Sequence, residues 1–223
     1  MAETFWNSVF SKPEYHYGTS PNDFLRDKVE HYVLNGQWFA ILGIDLPEEL
    51  HVVEFAAGEG RNSVWLAQQG FQVTAFDLSD VGMKKARELA RQHDVVIDTR
   101  TDDAIDLGLN ATGWRDSADV LVSTFFHVSP ERKRNLLAAH RNILRSGGIL
   151  IAEWFHPDQR LHNHSSGGPG SSEMMFTAAE LRTHFADWLV LECRETTRTL
   201  AEGDGHQGTA AVTQLVAQKR GMW

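Results

Sequence analysis

The residues best suited to chemistry lie in HVVEFAAGEGRN (51–62), where an apolar run meets two glycines flanking a glutamate. A strand, a glycine-containing turn and a helix start aim backbone N–H groups and the positive helix end at one point. In an open α/β sheet that point lies above the carboxyl ends of the strands. Asp77 ends the next apolar run, 17 residues after Gly60, where a carboxylate reaches the two ribose hydroxyls of an adenosine. NAD and S-adenosylmethionine both carry that adenosine, so the turn and Asp77 suit either. Glu54 separates them. It stands inside the apolar strand, four residues before Gly58, where a carboxylate is costly without a polar or cationic partner. A sulfonium cofactor with an ammonium-bearing tail supplies one, whereas a pyrophosphate repels it. Ser63 stands where the dinucleotide fingerprint wants Gly or Ala. Some 50 residues also precede the first strand, whereas a dinucleotide domain often starts at it.

Alternating segments must position these residues. HVVEF (51–55), FQVTAF (71–76), VVIDT (95–99), ADVLVST (118–124) and GILIAEW (148–154) read as strands. RNSVWLAQQG (61–70) reads as a helix stopped by Gly70. Ser79 caps a helix whose inner face is Val81, Met83, Ala86, Leu89 and Ala90. Ser129-Pro130 starts another, which carries Leu136, Leu137, His140, Ile143 and Leu144 inward and stops at Gly147-Gly148. This rhythm implies a parallel sheet with right-handed crossovers and helices on both faces. Residues 3–10, 22–35 and 177–185 read as helices and 156–175 as a loop rich in Gly, Ser and His. Two strand-like runs, 188–200 and 209–219, flank the short turn AEGDGHQG, so the sheet ends in an antiparallel pair.

Bulk composition narrows the function classes. The 223 residues, 42% hydrophobic and 23% charged, suit one α/β sheet. A net charge of −9 disfavours a nucleic-acid partner, and the short basic run ERKRN (131–135) reads as a solvated helix face. Cys193 is the only cysteine, which excludes an intrachain disulfide and a multi-cysteine metal site. No window of about 18 uninterrupted apolar residues appears, and the N-terminus lacks a signal-peptide pattern. The expectation is a cytoplasmic protein, monomer or homodimer, with a small-molecule substrate and no membrane partner.

The stretch VVEFAAGEGRNSVWLAQQGFQVTAFDLSDVGMKKARELA resembles the first two motifs of class I S-adenosylmethionine-dependent methyltransferases. The closer resemblance is to the small bacterial group of tellurite-resistance and thiopurine methyltransferases. It runs through YGTSPNDFL (17–25), FFHVSPERKRNLL (125–137) and GHQGTAAVTQLVAQK (205–219), and covers roughly residues 5–219. It implies a Rossmann-like, doubly wound α/β sheet of seven strands, mostly parallel with an antiparallel last strand. One domain would divide into a helical lid (1–45), a cofactor core (50–155) and an acceptor-side loop, helix and hairpin (156–223). The resemblance lines the methionine part of S-adenosyl-L-methionine with Glu54, Ala56, Gly58 and Gly60. It puts Asp77 on the ribose, Leu78 beside the adenine, Asp102 or Asp103 on the adenine amino group, and Thr124 or Phe125 at the methionyl end. Arg61, with Asn62 beside it, either holds the cofactor carboxylate or an anionic acceptor, or is a solvated first-turn residue. The family usually has Gly where this chain has Ala56, so a methyl group there requires permissive backbone dihedrals.

Other candidates have two readings. Tyr17, Asn22 and Phe24 either fold over the cofactor or belong to the cap of helix 22–35, and the resemblance favours contact. His127 follows the fourth strand, where an acceptor lies, as a general base or a pocket wall. Trp6, Trp154, His156, His162 and His164 complete the expected acceptor side. Histidines two and six apart on a flexible loop do not match closed metal spacings, so no metal is expected. Asp102-Asp103 reads as adenine contact and helix cap before Mg²⁺ ligands. No NPPY-like segment follows the fourth strand, which argues against a DNA or RNA acceptor. The expected function is in-line methyl transfer to a small molecule, with sulfur, selenium or tellurium favoured over oxygen or nitrogen and S-adenosyl-L-homocysteine as product. The rivals are an NAD(P)-dependent oxidoreductase and a non-catalytic adenosylmethionine-binding regulator.

Overall fold

The computed structural model describes residues 2–36 and 49–220, so positions 37–45 of the expected lid lie outside the described residues. Seven strands form one sheet: β1 (His51–Phe55), β2 (Gln72–Asp77), β3 (Asp98–Thr101), β4 (Ala118–Thr124), β5 (Leu144–Phe155), β6 (Leu189–Glu202) and β7 (His206–Gln218). Their order is β3-β2-β1-β4-β5-β7-β6. Strands β1 to β5 run parallel, and β7 is antiparallel to both neighbours. Before the sheet come α1 (Ala2–Phe10) and α2 (Asp23–Lys28), the latter continuing as a wider helical turn over Val29–Leu34. Helices α3 (Arg61–Gln68), α4 (Asp80–Gln92), α5 (Ala104–Asn110), α6 (Pro130–Ile143) and α7 (Ala178–His184) follow in chain order.

Alternation along the buried strands splits the core into two layers. Val53, Phe55, Leu121, Leu150 and Trp154 pack in one layer with side chains of α5, α6 and α7. Val52, Val73, Val120, Val122 and Ile151 pack in the other with those of α2, α3 and α4. Ser79 caps α4 by accepting the Gly82 N–H at 2.9 Å. In α4 Val81 is half-buried and Gly82 fully buried, because Phe10 of α1 lies where a Gly82 side chain would be.

Three segments differ from expectation. The apolar run 95–99 contributes only its end to β3, which is a short edge strand with mostly exposed side chains. Ile97 is buried in the core while Val96 is 89% exposed, so the run mainly connects α4 to β3. Helix α5 follows the Asp102-Asp103 helix cap, over a stretch that the sequence reading leaves without a helix of stated extent. It is short and contains Gly108, whose missing side chain lets the backbone of α5 approach Ala139 of α6. Gly147-Gly148 does not stop α6 but lies within β5, which begins at Leu144.

The polar interior gathers at one end of the sheet. Glu153 of β5 has no exposed surface and accepts hydrogen bonds from Arg198 (2.7 and 3.0 Å), Asn22 (2.8 Å) and Gln214 (2.7 Å). Arg198 also reaches Glu202 at 2.9 Å, and Glu202 pairs with Arg61 at 2.8 Å. Replacing one member of a buried ion pair strands the other charge. Arg198→Met is therefore expected to lower the unfolding free energy by about 3–5 kcal/mol, read from denaturant midpoints.

Candidate cofactor and acceptor site

A cavity of about 670 Å³ opens at the carboxyl ends of β1 to β4 and continues toward β5 and the β6–β7 turn. The turn after β1 forms its floor. Gly58 and Gly60 both have positive φ, at 58° and 86°. Gly58 lines the cavity, whereas Gly60 faces α4, where a Cβ would lie 2.5 Å from that of Ala86. Gly60 thus serves close packing rather than wall contact. Asp77 accepts the Gly58 N–H and the Ser79 N–H, each at 2.8 Å, which ties the turn to the end of β2. Burial raises the Asp77 carboxyl above its ordinary range, against the pull of these N–H groups.

Glu54 is buried and satisfied. It accepts hydrogen bonds from Asn62 at 2.8 Å and from the hydroxyl of Ser63. Burial still raises its pKa. Ser63, noticed as a departure from the dinucleotide fingerprint, therefore has a positive role as a donor to Glu54. Asn62 also donates to Thr124 Oγ1 at 3.0 Å and accepts the Asn22 N–H at 2.8 Å, so every polar group of its amide is used. It positions Glu54 and Thr124 along the cavity wall.

Residues 52–148 match the family described as a methyltransferase domain. Over these residues the chain is similar to a methyltransferase domain, and its fold is that of solved methyltransferase structures. The glycine/sarcosine N-methyltransferase of Parasynechococcus marenigrum (strain WH8102) is 30% identical over 124 residues, which are 55% of this chain and 44% of that protein. The probable S-adenosyl-L-methionine-dependent methyltransferase TehB of Haemophilus influenzae is 24% identical over 175 residues, 76% of this chain and 57% of that protein. The TehB crystal structure superposes with a TM-score of 0.63 at 22% identity, covering 89% of this chain and 66% of that one. A structure described for conversion of a disulfide bond into a thioacetal group during echinomycin biosynthesis gives a TM-score of 0.72 at 17% identity, covering 99% and 92%. The chain spans about half the length of the two sequence relatives.

Tyr17, Glu54, Ala56, Gly58, Arg61, Asn62, Asp77, Leu78, Asp102, Asp103, Thr124 and Phe125 all line the cavity. Asp103 caps α5 and pairs with Arg132 at 2.7 Å. Asp102 is exposed at the rim. Arg61 is not solvated: it is buried against Glu202 and reaches the Tyr17 carbonyl at 3.4 Å. Trp6 and Phe10 of α1 stack 5.4 Å apart over the cavity, and the Ser79 hydroxyl donates to Asn7 at 2.6 Å, which fixes α1 against α4. Burial pushes the Tyr17 phenol up to about 12.

Several expected residues take other places. Asn22 caps α2 and donates to Glu153 and Glu202, and Phe24 is core, so neither lines the cavity. Trp154 has no exposed surface and packs against Phe176 and His140 in the core layer of α5, α6 and α7, outside the cavity lining. Strand alternation puts Phe155 into the cavity instead. His156 lies 3.4 Å from Glu195 outside the lining, His162 is exposed, and His164 stays near His162. The loop contributes Gly168, Pro169, Gly170 and Met174 in their place. Among the described residues no cluster of His, Cys, Asp and Glu is arranged to hold a metal.

His127 lines the acceptor end, but both ring nitrogens are engaged. Nδ1 lies 3.0 Å from the Met174 carbonyl, and Nε2 accepts the Phe155 N–H at 3.1 Å. Burial lowers its pKa to about 4. It is a neutral wall residue, with no lone pair left for a proton. His206 escaped the sequence reading, although Glu202 and His206 flank GDG in a turn already recognised as a hairpin, and the register pairs them directly.

Ala56 and Phe125, at the ends of β1 and β4, both adopt φ of 54°. A left-handed backbone costs an L-residue about 1–2 kcal/mol, part of which glycine returns through its looser unfolded chain. Ala56→Gly is expected to raise the unfolding free energy by about 0.5–1 kcal/mol in chemical denaturation.

Proposed function

We propose that the chain transfers the methyl group of S-adenosylmethionine to a small-molecule acceptor. The observation that carries this reading is one continuous cavity, of a size typical for small-molecule sites, that runs from Asp77 and Asp102 past Gly58 and Ala56 to the aromatic walls of Phe125, His127 and Phe155. The fit of the residues supports the cofactor. Each Asp77 oxygen accepts one N–H and keeps lone pairs for the ribose hydroxyls. Glu54 offers a buried carboxylate to an ammonium, which would draw it toward its ionised form. Asp103 is committed to its cap and to Arg132, which leaves Asp102 for the adenine amino group.

Bound there, the cofactor supplies an electrophilic methyl on a sulfonium. The protein's part is alignment and exclusion of water: Trp6, Phe10 and Tyr17 roof the cavity, and Phe125 and Phe155 flank the acceptor end. An aromatic, weakly polar acceptor end favours a soft nucleophile, as does the resemblance to tellurite-resistance and thiopurine methyltransferases. Nitrogen remains an alternative, since one relative is named for N-methylation of glycine and sarcosine. In this reading residues 2–36 act as lid, 50–155 as cofactor core and 156–220 as the acceptor side of one domain.

Calorimetry with adenosylmethionine and NAD, followed by assay of S-adenosylhomocysteine formation over thiol, selenol, phenol, amine and oxyanion acceptors, tests the proposal. Tight NAD binding without an adenosylmethionine signal would overturn it. Binding without turnover on any acceptor would favour a regulatory role. Asp77→Ala is expected to weaken adenosylmethionine binding by more than about 100-fold, since two hydroxyls lose a charged acceptor.

A further inference from the structure

The acceptor end holds a second histidine whose surroundings differ from those of His127. His206 is buried at the start of β7, directly opposite Glu202 in the hairpin register, with Nδ1 3.3 Å from Glu202 Oε2. Its ring lines the cavity between Tyr17 (4.4 Å), Phe125 (4.4 Å) and Phe155 (5.5 Å). No hydrogen bond from Nε2 is formed among the described residues. Burial works against ionisation of Glu202, but the hydrogen bond with His206 and the guanidiniums of Arg61 and Arg198 bring its carboxyl down to about 2. A carboxylate beside Nδ1 keeps the proton on that nitrogen. The Nε2 lone pair then faces the acceptor space, the one thing His127 lacks.

We propose that His206 accepts the acceptor's proton through Nε2, that Glu202 is its positioning residue, and that the natural acceptor carries an ionisable X–H, as a thiol, selenol or hydroxyl. This rests on the methyltransferase reading and narrows its substrate class: an oxyanion without a proton to lose would have no use for the dyad. In the step, the X–H proton moves to Nε2 and the X electron pair forms the X–CH₃ bond. The S–CH₃ bond breaks with its pair left on sulfur, giving S-adenosylhomocysteine and a His206 imidazolium beside Glu202. The same carboxylate that fixes the tautomer then stabilises the positive charge.

The groups around His206 set its pH response. Glu202 and Arg198 lie on β6, Glu153 on β5, Arg61 on α3, His127 after β4, and His16 and Tyr17 on the N-terminal segment. Burial lowers the His206 pKa, with Arg61 acting in the same sense and Glu202 and Glu153 opposing. A base that must be neutral gives activity at higher pH that falls on acidification, with its limb below the ordinary histidine range.

Two measurements on the full chain test this. Long-range ¹H–¹⁵N imidazole spectra with S-adenosylhomocysteine present, with His206 assigned by its loss in His206→Asn, should show the Nδ1–H tautomer. Glu202→Gln should weaken that preference. An Nε2–H tautomer in the native protein would overturn the proposal whatever the activity. Initial rates are then compared for phenols and for thiophenols of graded acidity. His206→Asn should lower kcat by about 100-fold or more on weakly acidic acceptors. It should lower kcat much less on 4-nitrothiophenolate, and it should erase the acid limb. Adenosylmethionine affinity in the variant should stay within about fivefold by calorimetry. An equal loss on every acceptor, or no loss, would overturn the role of His206. No turnover by the native protein on the whole series would instead overturn the methyltransferase reading, and with it the proton-transfer step.

Discussion

Glu153, a carboxylate with no exposed surface near the carboxyl end of β5, is the constraint around which the working end of this protein is assembled. A charge there must be matched or it costs several kcal/mol. Its partners come from the segment before α2, from β6 and from β7. Arg198 carries the network to Glu202, and Glu202 carries it to Arg61 beside the cofactor turn. Satisfying one buried carboxylate thus requires the N-terminal segment, the terminal hairpin and the first helix of the core to dock together. Close approach reinforces this. Gly205 donates its N–H to the His16 carbonyl at 2.9 Å, and a Cβ on Gly203 would collide with His16 and Gly18. The cavity therefore has a continuous wall built from distant parts of the chain.

Within that wall, hydrogen-bond satisfaction sorts roles better than proximity does. Asn62, Asp103 and His127 all line the cavity, yet their polar atoms are spent on neighbours. Their contribution is to hold Glu54, α5 and the loop at Met174 in place. Asp77, Asp102 and His206 keep polar atoms with capacity toward the cavity, and these carry the proposed contacts. The left-handed conformations of Ala56 and Phe125 fit the same pattern. Both sit where a parallel strand ends and the chain turns sharply beneath the cavity, and local strain there is sustained by surrounding packing.

The cofactor side was legible because it is local in sequence. Strand β1, the glycine turn, Asp77 and the Ser79 cap all lie between residues 51 and 79, and each follows from strand periodicity, turn chemistry or capping. The acceptor side was only partly legible. Trp154 and Phe155 are adjacent, and which one faces the cavity depends on the phase of β5, which a one-residue shift inverts. Phase is set by pairing with β4 and β7, not by the run GILIAEW itself. The histidines of the 156–175 loop drew attention by number, but a loop's side chains point where its anchors send them, and these anchors turn glycines and a proline inward.

By itself, the sequence determined the alternating architecture, the antiparallel end of the sheet, the glycine turn after the first strand and the carboxylate that ends the second. Those depend on contacts between near neighbours and on period-two and period-3.6 patterns. Only the tertiary structure decided which histidine can take a proton. His127 and His206 are chemically identical in the sequence, and the difference between them is the partner of one ring nitrogen. For His127 that partner is a backbone N–H of β5, and for His206 the opposite nitrogen meets a carboxylate held ionised by two arginines from elsewhere in the chain.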